Sequence, residues 1–299
     1  MSPSRDTAAS DADVLRPRRS VLYMPGANAR ALEKAKTLEA DALILDLEDA
    51  VAPDAKDDAR AAVCAAARSG EYGRREVTIR ANGIDTPWHD ADVAAIATSG
   101  ADAIVIPKVN TLEEVELVHQ ALVSAGAPAQ LAIWAMLETP LAVQNAAAIA
   151  SHPRLAVLVM GTNDLVKELQ AEFVLGRAPI SAALQLCVLG ARIAGKVILD
   201  GVFNDLGDEA AFAAECVAGR QMGMDGKTLI HPKQLAPCNE VFAPTEQELS
   251  HAEVVIAAFE QAQAEGLGVV TVEGRLIENL HVEQARRTLA YGAAIAAAR

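Results

Sequence analysis

The sequence predicts a (β/α)8 TIM barrel of the α/β class with a C-terminal helical extension, and three observations carry that expectation. Eight short apolar runs rich in Val, Ile and Leu recur over about 210 residues, each too short for a typical helix. Each is separated from the next by a segment long enough for a helix. Each finishes in or beside a residue able to bind a metal, an anion or a proton.

The runs follow in order. SVLYMPG (20–26) turns through Pro25 and Gly26 into an alanine-rich stretch at 29–38, and DALILDLEDA (41–50) leads to another at 55–67. REVTIRAN (75–82) ends at the turn signal Asn82-Gly83, and AIVIPKV (103–109) precedes a helical stretch at 112–125. LAIWAMLE (131–138) precedes one at 140–150, LAVLVMGTND (155–164) is the sixth run, KVILDG (196–201) precedes Glu209–Met222, and GKTLIHP (226–232) closes the set. Gly100, Gly126 and Gly195 stand before following strands, where helix C-caps are expected.

Parallel strands buried on both faces read as continuous apolar runs, and eight of them fit a closed barrel better than an open doubly wound sheet. A barrel gathers its C-terminal strand ends at one mouth. Those ends carry Asp46, Glu48, Asp49, Arg80, Lys108, Glu138, Asp164, Asp200 and His231. The chain therefore divides into a disordered tail at 1–18, a barrel at 19–243 and an extension at 244–299. The extension reads as an amphipathic helix, a short extended pair turning at Glu273-Gly274, and a final helix: a lid or an oligomer clamp with Glu278 at the exit from the extended pair.

With 299 residues, 52% of them hydrophobic, the chain can bury a large core, and the 3% aromatic content points to helices packed through small side chains. The net charge of −14 argues against nucleic acid or an anionic membrane as partner. One island breaks the trend: residues 15–37 hold Arg16, Arg18, Arg19, Arg30, Lys34 and Lys36 against Glu33 alone, which either receives a polyphosphate or solvates the terminus. Cys64, Cys187, Cys216 and Cys238 are scattered without metal or disulfide spacing, and the polar N-terminus lacks the apolar run of a signal peptide. The longest uncharged stretch, 122–137, is too short to span a bilayer, so a soluble cytoplasmic protein is expected.

Glu138 and Asp164 end consecutive strands, and two hard oxygen donors with positions left for water or substrate suit Mg2+; the competing reading is that each caps a helix, as Thr139-Pro140 suggests for the first. Arg80 brings a guanidinium suited to a carboxylate or a developing enolate oxygen. Lys108 raises a rival Schiff-base chemistry, against which the acidic mouth holds the amine protonated. The Met24–Asn28 turn joins the first strand to a helix whose amides can face an anion within the basic island.

Taken together, RSVLYMPGANARALEKA, ADALILDLEDAVAPDAKDDAR, IRANGIDTPW, IPKV, LETP, GTNDL, ILDGVFND and MGMDGKTLIHPKQ resemble the family of the citrate lyase β subunit, malyl-CoA lyase and citramalyl-CoA lyase, from Arg19 to about residue 290. The resemblance implies a Mg2+-dependent barrel of trimers or hexamers that cleaves a 3-hydroxyacyl thioester, with coenzyme A as part of the substrate, to an acyl thioester and a 2-oxo acid. It implies Glu138 and Asp164 as metal ligands, Arg80 as the substrate arginine, and Tyr23 and Lys34 as contacts to coenzyme A. Arg30 stands in for an arginine that many members carry where this chain has Asn28. Glu278 occupies the place of an acid, usually Asp, that reaches a neighbouring subunit's site to exchange a proton with the thioester α-carbon. A carbon–carbon lyase acting on malyl-CoA, citramalyl-CoA or a similar ester is the expected activity. The alternatives are a citrate lyase β subunit acting on citryl-acyl-carrier protein, a malyl-CoA thioesterase, and a non-catalytic thioester-binding barrel.

Overall fold

In the computed structural model, which describes residues 15–298, eight parallel strands close into a barrel in sequence order, β1 pairing with both β2 and β8. They are β1 (Ser20–Pro25), β2 (Ala42–Asp46), β3 (Glu76–Arg80), β4 (Ala103–Ile106), β5 (Ala132–Leu137), β6 (Leu155–Met160), β7 (Val197–Asp200) and β8 (Gly226–Leu229). Each lies within one of the eight apolar runs. By contact, the chain divides into one unit spanning Arg18–Phe242 and a second that holds the chain from Ala243 onward.

The main helices between strands are α1 (Ala29–Ala35), α2 (Lys56–Arg68), α3 (His89–Ile96), α4 (Leu112–Ser124), α5 (Pro140–Gln144), α6 (Ala146–Ala150), α7 (Thr162–Glu168), α8 (Ser181–Ile193), α9 (Glu209–Met222) and α10 (Leu235–Phe242). The single helix expected over 140–150 is broken at Asn145, whose side-chain amide donates to the Asn110 carbonyl at 2.9 Å. Gly100, Gly126 and Gly195 adopt φ of 79°, 78° and 65°.

Strand periodicity sorts the core into two layers. Val21, Ala42, Ile44, Val105, Trp134, Val157, Val159 and Leu199 fill the lumen, while Leu43, Leu45, Ile79, Ile104 and Ile198 pack outward against the helices. β3 turns three polar side chains inward: the alternate residues Glu76, Thr78 and Arg80 are all buried. Glu76, at the start of the strand, receives Arg18 in a two-pronged pair at 2.5 and 2.8 Å, and Arg18 also lies 5.6 Å from the Trp134 ring centroid. This closes the end of the barrel opposite the mouth.

The tail expected at 1–18 falls largely on residues outside those described. Arg18 departs from that expectation, being 6% exposed and ion-paired. The second unit contains α11 (Glu246–Ala264), the hairpin strands β9 (Val270–Val272) and β10 (Arg275–Ile277), and α12 (Asn279–Ala297). Val255, Phe259, Val272, Ile277 and Val282 form its own small core. Glu273 and Gly274 turn the hairpin with φ of 48° and 79°, as a two-residue turn with both centres in the left-handed region requires. Among the described residues no helix is long and apolar enough to cross a membrane.

Candidate active site

The C-terminal strand ends open into a cavity of about 370 Å³ lined by Tyr23, Asp46, Asp49, Arg80, Met136, Glu138, Met160, Gly161, Thr162, Asn163, Asp164, Asn204, Thr228 and Ile230, among others. Its charged centre follows from register. Asp46 and Arg80 are paired residues of β2 and β3, so their side chains emerge side by side, and Arg80 grips Asp46 through Nε at 2.6 Å and Nη2 at 2.7 Å. Nη1 reaches Glu48 at 2.5 Å and Asp49 at 3.5 Å, and the guanidinium lies 4.9 Å from the Tyr23 ring centroid. Burial alone would disfavour the guanidinium charge; Asp46, Tyr23 and Glu48 outweigh it and hold Arg80 well above its ordinary range. Burial likewise pushes the Tyr23 hydroxyl upward, against the opposing effect of Arg80.

Glu138 stands one residue beyond β5 and is 4% exposed. Its Oε1 accepts the Lys108 amide at 2.7 Å. Its other oxygen lies over Gly161, where a Cβ would sit 2.3 Å from it, so the glycine gives the carboxylate its space. Burial first, then the charge of Glu48, raises the Glu138 carboxyl to about 7. Asp164 projects from the first turn of α7, immediately after β6. Lys108 links the group: its ammonium lies 3.4 Å from Glu48 and 3.3 Å from Asp164. Partial burial works against that ammonium, but Glu48, Glu138 and Asp164 more than compensate and hold its pKa above the ordinary lysine value. A lysine so clamped is a poor nucleophile, which removes the support for Schiff-base chemistry. The helix-capping alternative for Glu138 also falls away, because Thr139 caps α5 by accepting the Ala142 amide at 3.1 Å.

Two expected mouth residues are elsewhere. Asp200 shares the outward face of β7 with Ile198, and its carboxylate is buried against α9, where it meets Arg177 at 2.5 Å and Lys227 at 3.1 Å. His231 does not line the cavity; its Nδ1 accepts the Lys233 amide at 3.1 Å and caps a short turn. The basic island is divided as well. Arg18 pairs with Glu76 at the far end of the barrel, Arg19 pairs with Asp41 at 2.7 and 2.8 Å, and Lys36 joins Glu33 and Glu71, each at 2.5 Å. Arg30 and Lys34 are exposed on α1, outside the cavity lining. Glu278 is exposed in the second unit, where its amide donates to His281 Nδ1 at 3.0 Å at the start of α12.

Sequence reasoning did not find the residues that hold this centre in shape. Lys56, 5% exposed, donates to the Leu47 and Glu48 carbonyls at 2.6 and 2.7 Å and fixes the turn that presents Glu48. Asn163 and Asn204 exchange hydrogen bonds across the rim at 2.8 and 3.3 Å. Their recurrence as Asn-Asp after two strand ends, in GTND and GVFND, was the available signal.

The donor chemistry at Glu138 and Asp164 suits a hard divalent cation: carboxylate oxygens, with no competing thiol or imidazole in the lining. Among the described residues no group of three or more His, Cys, Asp or Glu is placed to hold a metal ion. Two such donors would leave the remaining positions of a cation to water and substrate.

The family model described as HpcH/HpaI aldolase/citrate lyase matches residues 19–232. A Cereibacter sphaeroides protein named (3S)-malyl-CoA thioesterase is 51% identical over 281 residues, covering 94% of this chain and 96% of its own. The citrate lyase subunit beta of Escherichia coli K12 is 35% identical over 284 residues, covering 92% and 93%. Among solved structures, the citrate lyase beta subunit of M. tuberculosis complexed with oxaloacetate and magnesium is similar with a TM-score of 0.64 at 25% identity, covering 78% of this chain and 100% of that one.

Proposed function

The chain belongs to the HpcH/HpaI aldolase/citrate lyase family, a family of enzymes, and from that premise we propose that it hydrolyses a short 3-hydroxyacyl-CoA of the (3S)-malyl-CoA class at a Mg2+ site built by Glu138 and Asp164. Water adds to the thioester carbonyl, the carbon–sulfur bond breaks, and the thiolate takes up the proton, giving malate and free coenzyme A. The observation that carries this choice is the 51% identity over 94% of the chain to a protein named as a thioesterase, against 35% to one named as a lyase subunit.

Glu138 and Asp164 would hold the cation, which when bound would supply Lewis acidity to the substrate's oxygens. Arg80, fixed by its two-pronged grip on Asp46, exchanges its long 3.5 Å contact with Asp49 for the substrate oxygen that gains negative charge. Tyr23 and Met136 wall the acyl end. Arg30 and Lys34 on α1 meet the coenzyme A phosphates. Glu278 reaches in from a neighbouring copy of the chain, so the working form is a homo-oligomer, a trimer or hexamer, and its carboxylate moves the proton that the reaction requires.

The second reading is carbon–carbon cleavage to acetyl-CoA and glyoxylate, favoured by the family match and by the relative named citrate lyase subunit beta. The same charged centre serves it, with Glu278 delivering the proton to the acyl-CoA enolate. Thiol release from malyl-, citramalyl- and citryl-CoA, with and without EDTA, tests the proposal. Malyl-CoA is expected to be the best substrate, with EDTA abolishing turnover and Mg2+ restoring it. Accumulation of acetyl-CoA without free thiol would select the second reading, and binding without turnover would leave a non-catalytic thioester-binding barrel.

A further inference from the structure

Lys108 follows Pro107 at the end of β4 with φ of 53°, a left-handed conformation that residues other than glycine seldom adopt. That backbone turns its amide onto Glu138 Oε1 at 2.7 Å, while its ammonium lies 3.4 Å from Glu48 Oε1 and 3.3 Å from Asp164 Oδ2. A single residue thus touches three carboxylates, two of them the ligands assigned to the metal above.

We propose that Lys108 is the built-in counter-ion of these carboxylates and that binding of a divalent cation is an exchange, in which the ammonium releases Asp164 and retreats onto Glu48. The inference rests on the metal assignment of the preceding section. Its first support is charge. Glu48, Glu138 and Asp164 face one small space, and the other cation there, Arg80, is already matched by Asp46 and by one oxygen of Glu48. Without Lys108 the carboxylates would repel one another and part. Its second support is distance. A hard cation such as Mg2+ draws carboxylate oxygens to about 2.0–2.1 Å, and an ammonium 3.3 Å from the same oxygen would then face a doubly charged ion at close range. Its third support is freedom to move: the Lys108 side chain is 49% exposed. Glu48 is a partner that need not be given up, since Arg80 Nη1 anchors its other oxygen at 2.5 Å. The left-handed backbone keeps the amide on Glu138 throughout, so one residue orients a ligand with its main chain while its side chain makes way.

Lys108 is therefore a positioning residue that sets cation affinity. Mn2+ binding, followed by the loss of the free-ion electron paramagnetic resonance signal at about pH 8, tests this directly on the intact oligomer. Removing the competing charge in Lys108→Met should tighten Mn2+ binding by about tenfold or more, whereas Lys108→Arg, which keeps the charge, should stay within about threefold of wild type. Lys108→Gln serves as a second neutral variant should the methionine form fold poorly, and a merely structural role would weaken binding in every variant. Unchanged or weaker binding in the folded neutral variants overturns the inference while leaving the metal assignment intact, provided Asp164→Asn loses the wild-type binding. Absence of binding in wild type and neutral variants alike would overturn both.

Discussion

Replacing Glu138 with glutamine should stabilise the metal-free protein at alkaline pH, although it removes an assigned ligand. Burial and the neighbouring Glu48 raise this carboxyl from an ordinary 4.5 to about 7. The folded state therefore holds the proton more tightly than the unfolded chain. Stability falls as pH rises from about 4.5 to 7, and the full penalty stands above that range until a cation is bound. At 1.36 kcal/mol per decade the penalty is roughly 3 kcal/mol. The variant recovers only part of it, because the attraction to Lys108 is lost and the new amide nitrogen needs a partner; its oxygen can still accept the Lys108 amide. About half the penalty, at roughly 2–4 °C per kcal/mol for a chain of this size, gives a rise in Tm of about 3–6 °C. Thermal unfolding in EDTA at about pH 8 measures it. The difference should largely vanish near pH 5, where the wild-type carboxyl is protonated, and should reverse in excess Mg2+, which stabilises only the protein that binds it. A Glu138→Gln protein less stable than wild type in EDTA at pH 8 would refute the reasoning.

Three further outcomes follow from the site. Arg80→Lys should lower kcat by about 10²–10³ with KM much less affected, and a defect confined to KM would remove Arg80 from the chemical step; lysine is preferred to alanine because Asp46, 2% exposed, would otherwise be a buried carboxylate without its partner. Lys34→Ala should weaken coenzyme A binding several-fold at unchanged kcat, as expected for one exposed phosphate contact; equal affinity by calorimetry would take Lys34 out of the site. Glu278→Gln should assemble and bind substrate but turn over poorly, and mixing it with Arg80→Lys protein should restore partial activity; no recovery after verified subunit exchange would rule out action between subunits.

The strands were legible because both faces of each are buried, so apolar runs survive in the sequence without ambiguity, and Asp46, Arg80, Glu138 and Asp164 could be placed near one mouth because they end such runs. Asp200 was misplaced although it also ends a run. Counting alternate positions from Leu199, which fills the lumen, would have turned it outward. The pairing within the basic island was hidden for a different reason: Arg18 and Arg19 are neutralised by Glu76 and Asp41, which lie far along the chain and meet them only when the barrel closes. The same holds for the contacts of Lys108 with Glu48 and Asp164, which join three separate strand ends. The break at Asn145 was hidden because alanine-rich sequence on either side reads as continuous helix, and only the bond to Asn110 reveals why it stops. The local signals of the extension, a Glu-Gly turn between two β-rich triplets, lie within the hairpin itself and needed no distant partner to be read.

The most direct test of the central claim is the fate of (3S)-malyl-CoA turned over with Mg2+ in 18O-labelled water, with a hydrazine present to capture any glyoxylate. Hydrolysis at the thioester predicts one free thiol per substrate, malate carrying one 18O in its new carboxylate, and no effect of the hydrazine on yield. Glyoxylate hydrazone and acetyl-CoA in equal amounts, with no labelled malate, would contradict it.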